Sequence, residues 1–247
     1  MIRKFTADLH VHSLLSPCAE VEMTPRNIVW HARERGINII AITDHNACDN
    51  VAAALVAAEN TGITVLPGME VETREEIHFI VLFEKMRQLK AWEQFIEQKR
   101  PALLNDDKKF GAQFVVDAED NLISVKEELL LCPLTINAAE LTSKVHELEG
   151  LVIASHIDRP SYSIVSQLGF IPDDLLLDGV EVSRRADPKV MARRLLVPHH
   201  IPVVTASDAH RISDFMSGPA TSFYLDSPTF GEIRQALQGI NGRMVVV

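Results

Sequence analysis

The stretch "TADLHVHSLLSPC", Thr6 to Cys18, places an aspartate and two histidines at alternate positions: Asp8, His10 and His12. Residues two apart on an extended strand point to the same side, so the spacing predicts that the three share a face. Imidazole and carboxylate groups gathered on a buried face need compensation, and a divalent metal ion can supply it. Similar residues recur at the ends of later β-branched runs. Asp44 and His45 follow "INIIAIT", Glu70 and Glu72 follow "ITVLPGM", and His156, Asp158 and Arg159 follow "LVIAS". Glu181, Ser183 and Arg184 end "GVEVSR", and Asp208 and His210 end "IPVVTAS". His78 fits less directly, because it opens its run, "HFIVLF". Six of the ten histidines fall in this set. The other four, His31, His146, His199 and His200, lie in predicted helices or a loop and are left outside it. Asp8 is read as orienting His10 or nearby backbone rather than as a ligand; for Asp44 both roles stay open.

The elements that must position these residues alternate in type. A helix is expected over "MTPRNIVWHARERG", with Thr24 as cap, Pro25 in the first turn and Gly36 as stop. Further helices are expected over "CDNVAAALVAAENTG", "KMRQLKAWEQFIEQKR", "NAAELTSKVHELEG" (capped by Asn137) and "TFGEIRQALQG". Strands are expected at "FTADLHV", "INIIAIT", "ITVLPGM", "HFIVLF", "LVIAS", "DGVEVSR", "IPVVTAS" and "RMVVV", with a turn at Pro67-Gly68. Alternating strands and helices imply parallel pairing through right-handed crossovers. About seven such units suggest a barrel, whose C-terminal strand ends share one mouth. The segment from about 84 to 135 breaks the rhythm and is read as an insertion in a single domain spanning 1–247. Within it "AQFVVDAEDNLIS" predicts two short strands about a turn.

Composition narrows the classes. The chain has 247 residues, 47% of them apolar, enough for a large core without disulfides. Its three cysteines form no CxxC pair, which suggests reduced thiols and a cytoplasmic location. No apolar run is long enough for a membrane span, and no signal-peptide pattern is seen. The formal net charge of −10 argues against an extended nucleic-acid partner.

In order along the chain, "DLHVH", "ITDHN", "PGMEV", "ASHIDR" and "SDAH" resemble the motifs of the polymerase and histidinol phosphatase superfamily, the PHP domain. The resemblance spans nearly the whole chain, least so Phe83–Thr135. It implies an α/β fold, a distorted (β/α)7 TIM-like barrel, with two or three divalent metal ions (Zn, Mn or Fe) and phosphoester hydrolysis. By that resemblance His10, His12, Glu70 and Asp208 form one metal site. Glu70 bridges to a second, completed by His78 and His156. His45 and His210 belong to a third, where Cys18 stands at a position usually held by histidine. A thiolate suits zinc but suits manganese or magnesium poorly, so both a zinc thiolate and a neutral thiol beside a weak site stay open.

Such a centre can activate water and stabilise both the attacking and the leaving oxygens. Glu70, Asp208 and His210 are the expected catalytic groups. Arg159 and Arg184 are the expected phosphate-binding cations, because a guanidinium fork matches a phosphate. The expected substrate is a small phosphomonoester or nucleotide. Hydrolysis of carbon–nitrogen bonds, and a structural or partner-binding module, are the alternatives; phosphate release and metal content discriminate among them.

Overall fold

The computed structural model describes residues 1–247. In chain order the elements are β1 (Arg3–Val11), α1 (Pro25–Glu34), β2 (Ile39–Ile42), α2 (Val51–Ala57), β3 (Thr64–Glu72), β4 (His78–Leu82) and α3 (Met86–Glu97). Then come α4 (Asp107–Phe110), β5 (Phe114–Val116), β6 (Leu122–Val125), α5 (Ala138–Glu147), β7 (Leu151–Ala154), α6 (Ile164–Leu168) and β8 (Gly179–Val182). The chain continues through α7 (Pro188–Arg194), β9 (Val203–Thr205), α8 (Ile212–Ser217), β10 (Thr221–Leu225), α9 (Phe230–Gln238) and β11 (Met244–Val246). The local signals act as expected at several boundaries. Thr24 Oγ1 accepts from the Asn27 N–H, Asn137 Oδ1 accepts from the Glu140 N–H, and Gly36 takes φ +68° beyond α1.

Nine strands form one curved sheet in the order β11-β10-β1-β2-β3-β4-β7-β8-β9, a distorted, nearly closed barrel. The edges β11 and β9 approach each other without a ladder. Alternate strand residues go to different sides. Ile40, Ile42, Phe79, Val81 and Val152 pack outward in a 38-residue cluster with α1, α2, α3 and α5. Leu9, Ile39, Ala41, Leu66, Ile80, Leu82 and Ile153 point inward, in a 17-residue cluster that α9 completes through Phe230, Ile233 and Leu237. No helix is long and apolar enough to cross a membrane.

The expectation of uniform parallel pairing is corrected. β1–β2, β2–β3, β7–β8 and β8–β9 are parallel, but β4 runs antiparallel to both β3 and β7, and β10 antiparallel to β1. For β3 and β4 the reason is chain length. A parallel crossover needs a dozen or more residues, whereas Thr73–Ile77 is a short turn closed by the Thr73 N–H on the Ile77 carbonyl at 2.9 Å. The sheet also exceeds seven strands: β10, which the sequence pattern did not single out, joins β1 to β11.

The expected turn at Pro67-Gly68 is not formed; β3 runs straight through it. Proline is tolerated because the Pro67 carbonyl still accepts from the Phe83 N–H at 2.8 Å. Glycine serves close approach: a Cβ on Gly68 would lie 2.9 Å from Leu82 Cδ2, 3.0 Å from Thr43 Cγ2 and 3.2 Å from the Val81 carbonyl.

Residues 84–135 contribute α3, whose Leu89, Trp92 and Ile96 join the outer core, then α4 and the separate β5–β6 hairpin. This segment is fastened to the loops after β1 and β2. Asn46 Nδ2 donates to the Leu130 and Cys132 carbonyls, each at 2.9 Å, and Asn50 bonds Phe114 and Val116. Gly68→Ala is expected to lower stability by about 1–3 kcal/mol, the usual cost of overpacking a filled core, read from chemical denaturation.

Candidate metal centre

Three local features bring the strand-end residues to one point. The first lies in β1, where the register against β2 shifts between Asp8 and Val11. Phe5, Ala7 and Leu9 face the inner cluster, but Val11 packs in the outer one. The irregularity re-aims the strand, so His10 and His12 turn inward. Asp8, before the shift, does not share their face as the spacing predicted. Its Oδ1 accepts from the Ser207 N–H at 3.1 Å, and Arg35 lies 3.7 Å from Oδ2. The second feature is a pair of isolated parallel bridges beyond the regular strands, Val11 with Ala209 and His45 with Glu70. They close the barrel at this end and set Asp208 and His210 beside the β1 histidines. The third is the β3–β4 turn, which puts His78 opposite Glu72. His78 begins its strand, yet belongs to the same mouth because that strand runs antiparallel.

Glu70 is the hub. Its Oε1 lies 3.2 Å from His10 Nε2, 3.1 Å from His78 Nδ1 and 3.4 Å from His156 Nε2. Its Oε2 lies 3.4 Å from His12 Nε2 and 3.1 Å from His45 Nδ1. Asp208 Oδ1 stands 3.4 Å from Nε2 of both His10 and His12. Three groups have donor atoms mutually within 4.8 Å: His10, His12 and Asp208; His45, Glu70 and His78; His12, His45 and His210. They share His12 and His45. His156 reaches Glu70 but joins no such group.

Supporting residues hold these rings. His10 Nδ1 lies 2.9 Å from Glu181 Oε2, while Glu181 Oε1 accepts the His156 N–H at 3.2 Å. His12 Nδ1 meets Ser16 Oγ at 3.0 Å, and Ser16 Oγ donates to Asp44 Oδ1 at 2.7 Å. Asp44 also accepts from the Ser13 N–H and hydroxyl at 2.7 and 2.6 Å. It is an organiser of the β1 loop rather than a member of the donor groups. His210 Nδ1 lies 3.0 Å from the Asp208 carbonyl, which assigns the proton to Nδ1 and the lone pair to Nε2. Glu181 and Ser16 were not singled out from sequence as site residues. Glu181 carried a signal, since it ends a strand at the same rim; Ser16 carried none.

Charge is balanced internally. Burial opposes ionisation of Glu70 and Asp208, but the surrounding histidines hold both well below the usual carboxylate range. Burial likewise disfavours protonated His10, yet Glu181, Glu70 and Asp208 push it well above its ordinary value. Burial and His12 push His45 well down and His210 down to about 4. The centre therefore attracts positive charge while keeping two imidazoles neutral, the form that ligates. Two buried atoms, Glu70 Oε1 and His78 Nδ1, have no hydrogen-bond partner although they lie 3.1 Å apart. Orphaned acceptors in such a cluster fit a cation that both would ligate.

The centre opens to a cavity of about 470 Å³ lined by His45, Glu70, His78, His156, Asp208 and His210. Arg159 also lines it and pairs with Asp208. Arg184 does not: its Nη1 lies 2.7 Å from Asp214 Oδ1 on α8, and it is no part of the wall. Cys18 is on the wall but in none of the donor groups. Crowding around its thiol, then the Glu70 and Asp208 charges, push its pKa up to about 12, although the residue as a whole is exposed. His12, rather than Cys18, completes the group with His45 and His210. His156 and Asp208 take φ +29° and +47°, a backbone region non-glycine residues rarely adopt and one that clusters at functional sites.

The PHP domain family model matches residues 8–158, and the chain belongs to that family. It is 30% identical over 126 residues to a 5'-3' exoribonuclease of Haemophilus influenzae, an alignment covering 49% of this chain and 40% of the relative. The lesion-specific endonuclease PfuEndoQ from Pyrococcus furiosus has the same fold: TM-score 0.75, 22% identity, 99% of this chain and 58% of that one. A structure of Endonuclease Q with a 27-mer duplex substrate, an abasic lesion at its active site, matches with TM-score 0.73 and 22% identity over 98% of this chain and 58% of that one. The chain thus spans about 40% of that curated relative and 58% of the endonuclease chains. These findings correct the expectation of no extended nucleic-acid partner, because Endonuclease Q, a chain that shares this fold, is seen with a duplex substrate. Net charge is a sum over the whole chain, whereas a substrate meets the local field of the mouth.

Asp44→Ala leaves the Ser13 N–H and two serine hydroxyls without their acceptor. Chemical denaturation is expected to show a loss of about 2–4 kcal/mol.

Proposed function

We propose that the chain is a metal-dependent phosphoesterase that hydrolyses a phosphoester of a nucleotide or nucleic acid. The observation that carries this reading is the buried Glu70 carboxylate, 3.1–3.4 Å from nitrogens of five histidines at the base of an open cavity. In this reading His10, His12, Glu70 and Asp208 hold one divalent ion. Glu70, His78 and His156 hold a second, and His45 and His210 contribute to a third with His12. Bound metal would supply Lewis-acid activation of water and stabilisation of the attacking and leaving oxygens.

The chain's own residues do the rest. Glu70 keeps a fixed negative charge between the sites, and Glu181 locks the His10 ring through Nδ1. Asp208 and His210 face the cavity together, with His210 offering a neutral Nε2 that can ligate or accept a proton. Arg159 is the phosphate fork: its partner in the structure is Asp208, and a phosphate would take over that guanidinium. The 470 Å³ cavity suits a nucleotide-sized group. Residues 1–247 work as one domain here, with the 84–135 segment forming part of the mouth.

The test is a panel of nucleotides, sugar phosphates, aryl phosphates and single- and double-stranded oligonucleotides, each with manganese, zinc, iron or magnesium. Hydrolysis of at least one phosphoester class, abolished by chelation, is expected. Absence of hydrolysis across the panel with every metal overturns the reading. In the active enzyme, Glu70→Gln is expected to lower bound metal and collapse turnover while leaving the circular dichroism spectrum intact. Arg159→Ala should cut kcat/KM by about tenfold or more, the worth of one charge-assisted contact. Arg184→Ala should change it little, because that side chain is spent on Asp214. An equal loss in both arginine variants would remove the distinction drawn from the cavity wall.

A further inference from the structure

The floor of the cavity is imidazole and carboxylate, and Glu72, Glu76 and Cys18 also line it, but one part of the wall is apolar and aromatic. Phe110, Leu131 and Pro133 reach it from the 84–135 segment, and Tyr162 reaches it from the loop between β7 and α6. A phosphate gains nothing from such a wall, and a sugar gains less than a flat, weakly polar ring, whose whole face can stack.

Tyr162 is held there at a cost. It is 44% exposed, and it takes φ +58°, the left-handed region that a bulky side chain disfavours. Two contacts enforce the position. The Tyr162 carbonyl accepts from the His78 N–H at 3.0 Å, and its ring stacks on the His78 imidazole with centroids 4.8 Å apart and planes at 28°. The strained backbone therefore places an exposed aromatic ring one imidazole away from Glu70. Phe110 is part-exposed and ends α4, with the Lys109 ammonium 5.1 Å from its ring centroid. It makes no ring contact with the site histidines, so packing of the metal centre does not explain its place.

We propose that this outer wall is a nucleobase subsite, in which Tyr162 and Phe110 stack the base of the nucleotide whose phosphate lies at the Glu70 centre. The inference rests on the phosphoesterase reading for the location of the phosphate and adds the chemical class of the leaving or retained group. Stacking is tolerant of base identity because every base presents a π-face, so the subsite selects nucleotides over sugar phosphates more than one base over another.

Equilibrium titration of the metal-loaded protein with adenosine 5'-monophosphate and with ribose 5-phosphate separates base from phosphate. The base-bearing probe is expected to bind about tenfold or more tightly, the scale of one stacked base. Tyr162→Ala and Phe110→Ala should each reduce that preference severalfold with metal content unchanged, and Tyr162→Phe should retain it. If Tyr162 merely supports His78, Tyr162→Ala will instead lower metal content and weaken both probes alike, with Phe110→Ala silent; that outcome overturns the proposal. So does a wild-type protein with no preference between the probes, including one that binds neither. A base preference in a protein that hydrolyses nothing would sink the phosphoesterase reading and leave the subsite standing.

Discussion

A carboxylate buried among imidazoles governs this structure. Removing Glu70 from water costs several kcal/mol unless charge and hydrogen bonds return it. The chain returns it through five histidines drawn from four strands and the loops that follow them. β1, β2 and β7 must therefore end, and β4 must begin, at the same height in the barrel. The passage of β3 through Pro67-Gly68, the short turn into β4, and the bridges at His45 and Ala209 all serve that convergence. A small error in any of them would leave a buried charge without its partner, which is more costly than a cavity of similar size.

The barrel is stratified accordingly. Inward residues of β1–β4 begin as Phe5, Ala41, Leu66 and Leu82 at one end, where α9 seals the inside. They become His10, His12, Glu70 and His78 at the other. The apolar end stabilises the fold, while the polar end stores strain at His156 and Asp208. Division of labour between the two ends of a barrel is a physical necessity: a closely packed core cannot also hold an open, charged cavity. Around the mouth, the 84–135 segment and the Tyr162 loop add an apolar border to an ionic floor, so the cavity offers two chemistries a few ångströms apart.

The acidic composition of the chain is a poor guide to that mouth. Its net charge of −10 is a sum over the whole chain, whereas the cavity wall sets Arg159 and four histidines among the carboxylates of Glu70, Glu72, Glu76 and Asp208. The duplex held by a chain of the same fold makes the same point.

Residue types and their order were enough to reveal much of this. The motifs around His10, His45, Glu70, His156 and Asp208, the caps at Thr24 and Asn137, and the strand–helix rhythm are local signals, written within a few residues of one another. The barrel class and the family follow from them. Three-dimensional proximity decided the rest. Period-two spacing put Asp8 on the face of His10, and only pairing with β2 revealed the shift that separates them. His78 looked misplaced until antiparallel pairing brought it to the rim. Arg159 and Arg184 were equivalent as sequence, but Asp214, thirty residues further on, claims one and Asp208 faces the other into the cavity. Cys18 was open in sequence as a ligand beside His45 and His210, but it joins no donor group, and His12, assigned to another site, stands with those two instead. Sequence specifies which groups are available through short-range chemistry. Which of them meet depends on long-range pairing, where one residue of register or one unexpected partner changes the direction in which a side chain points.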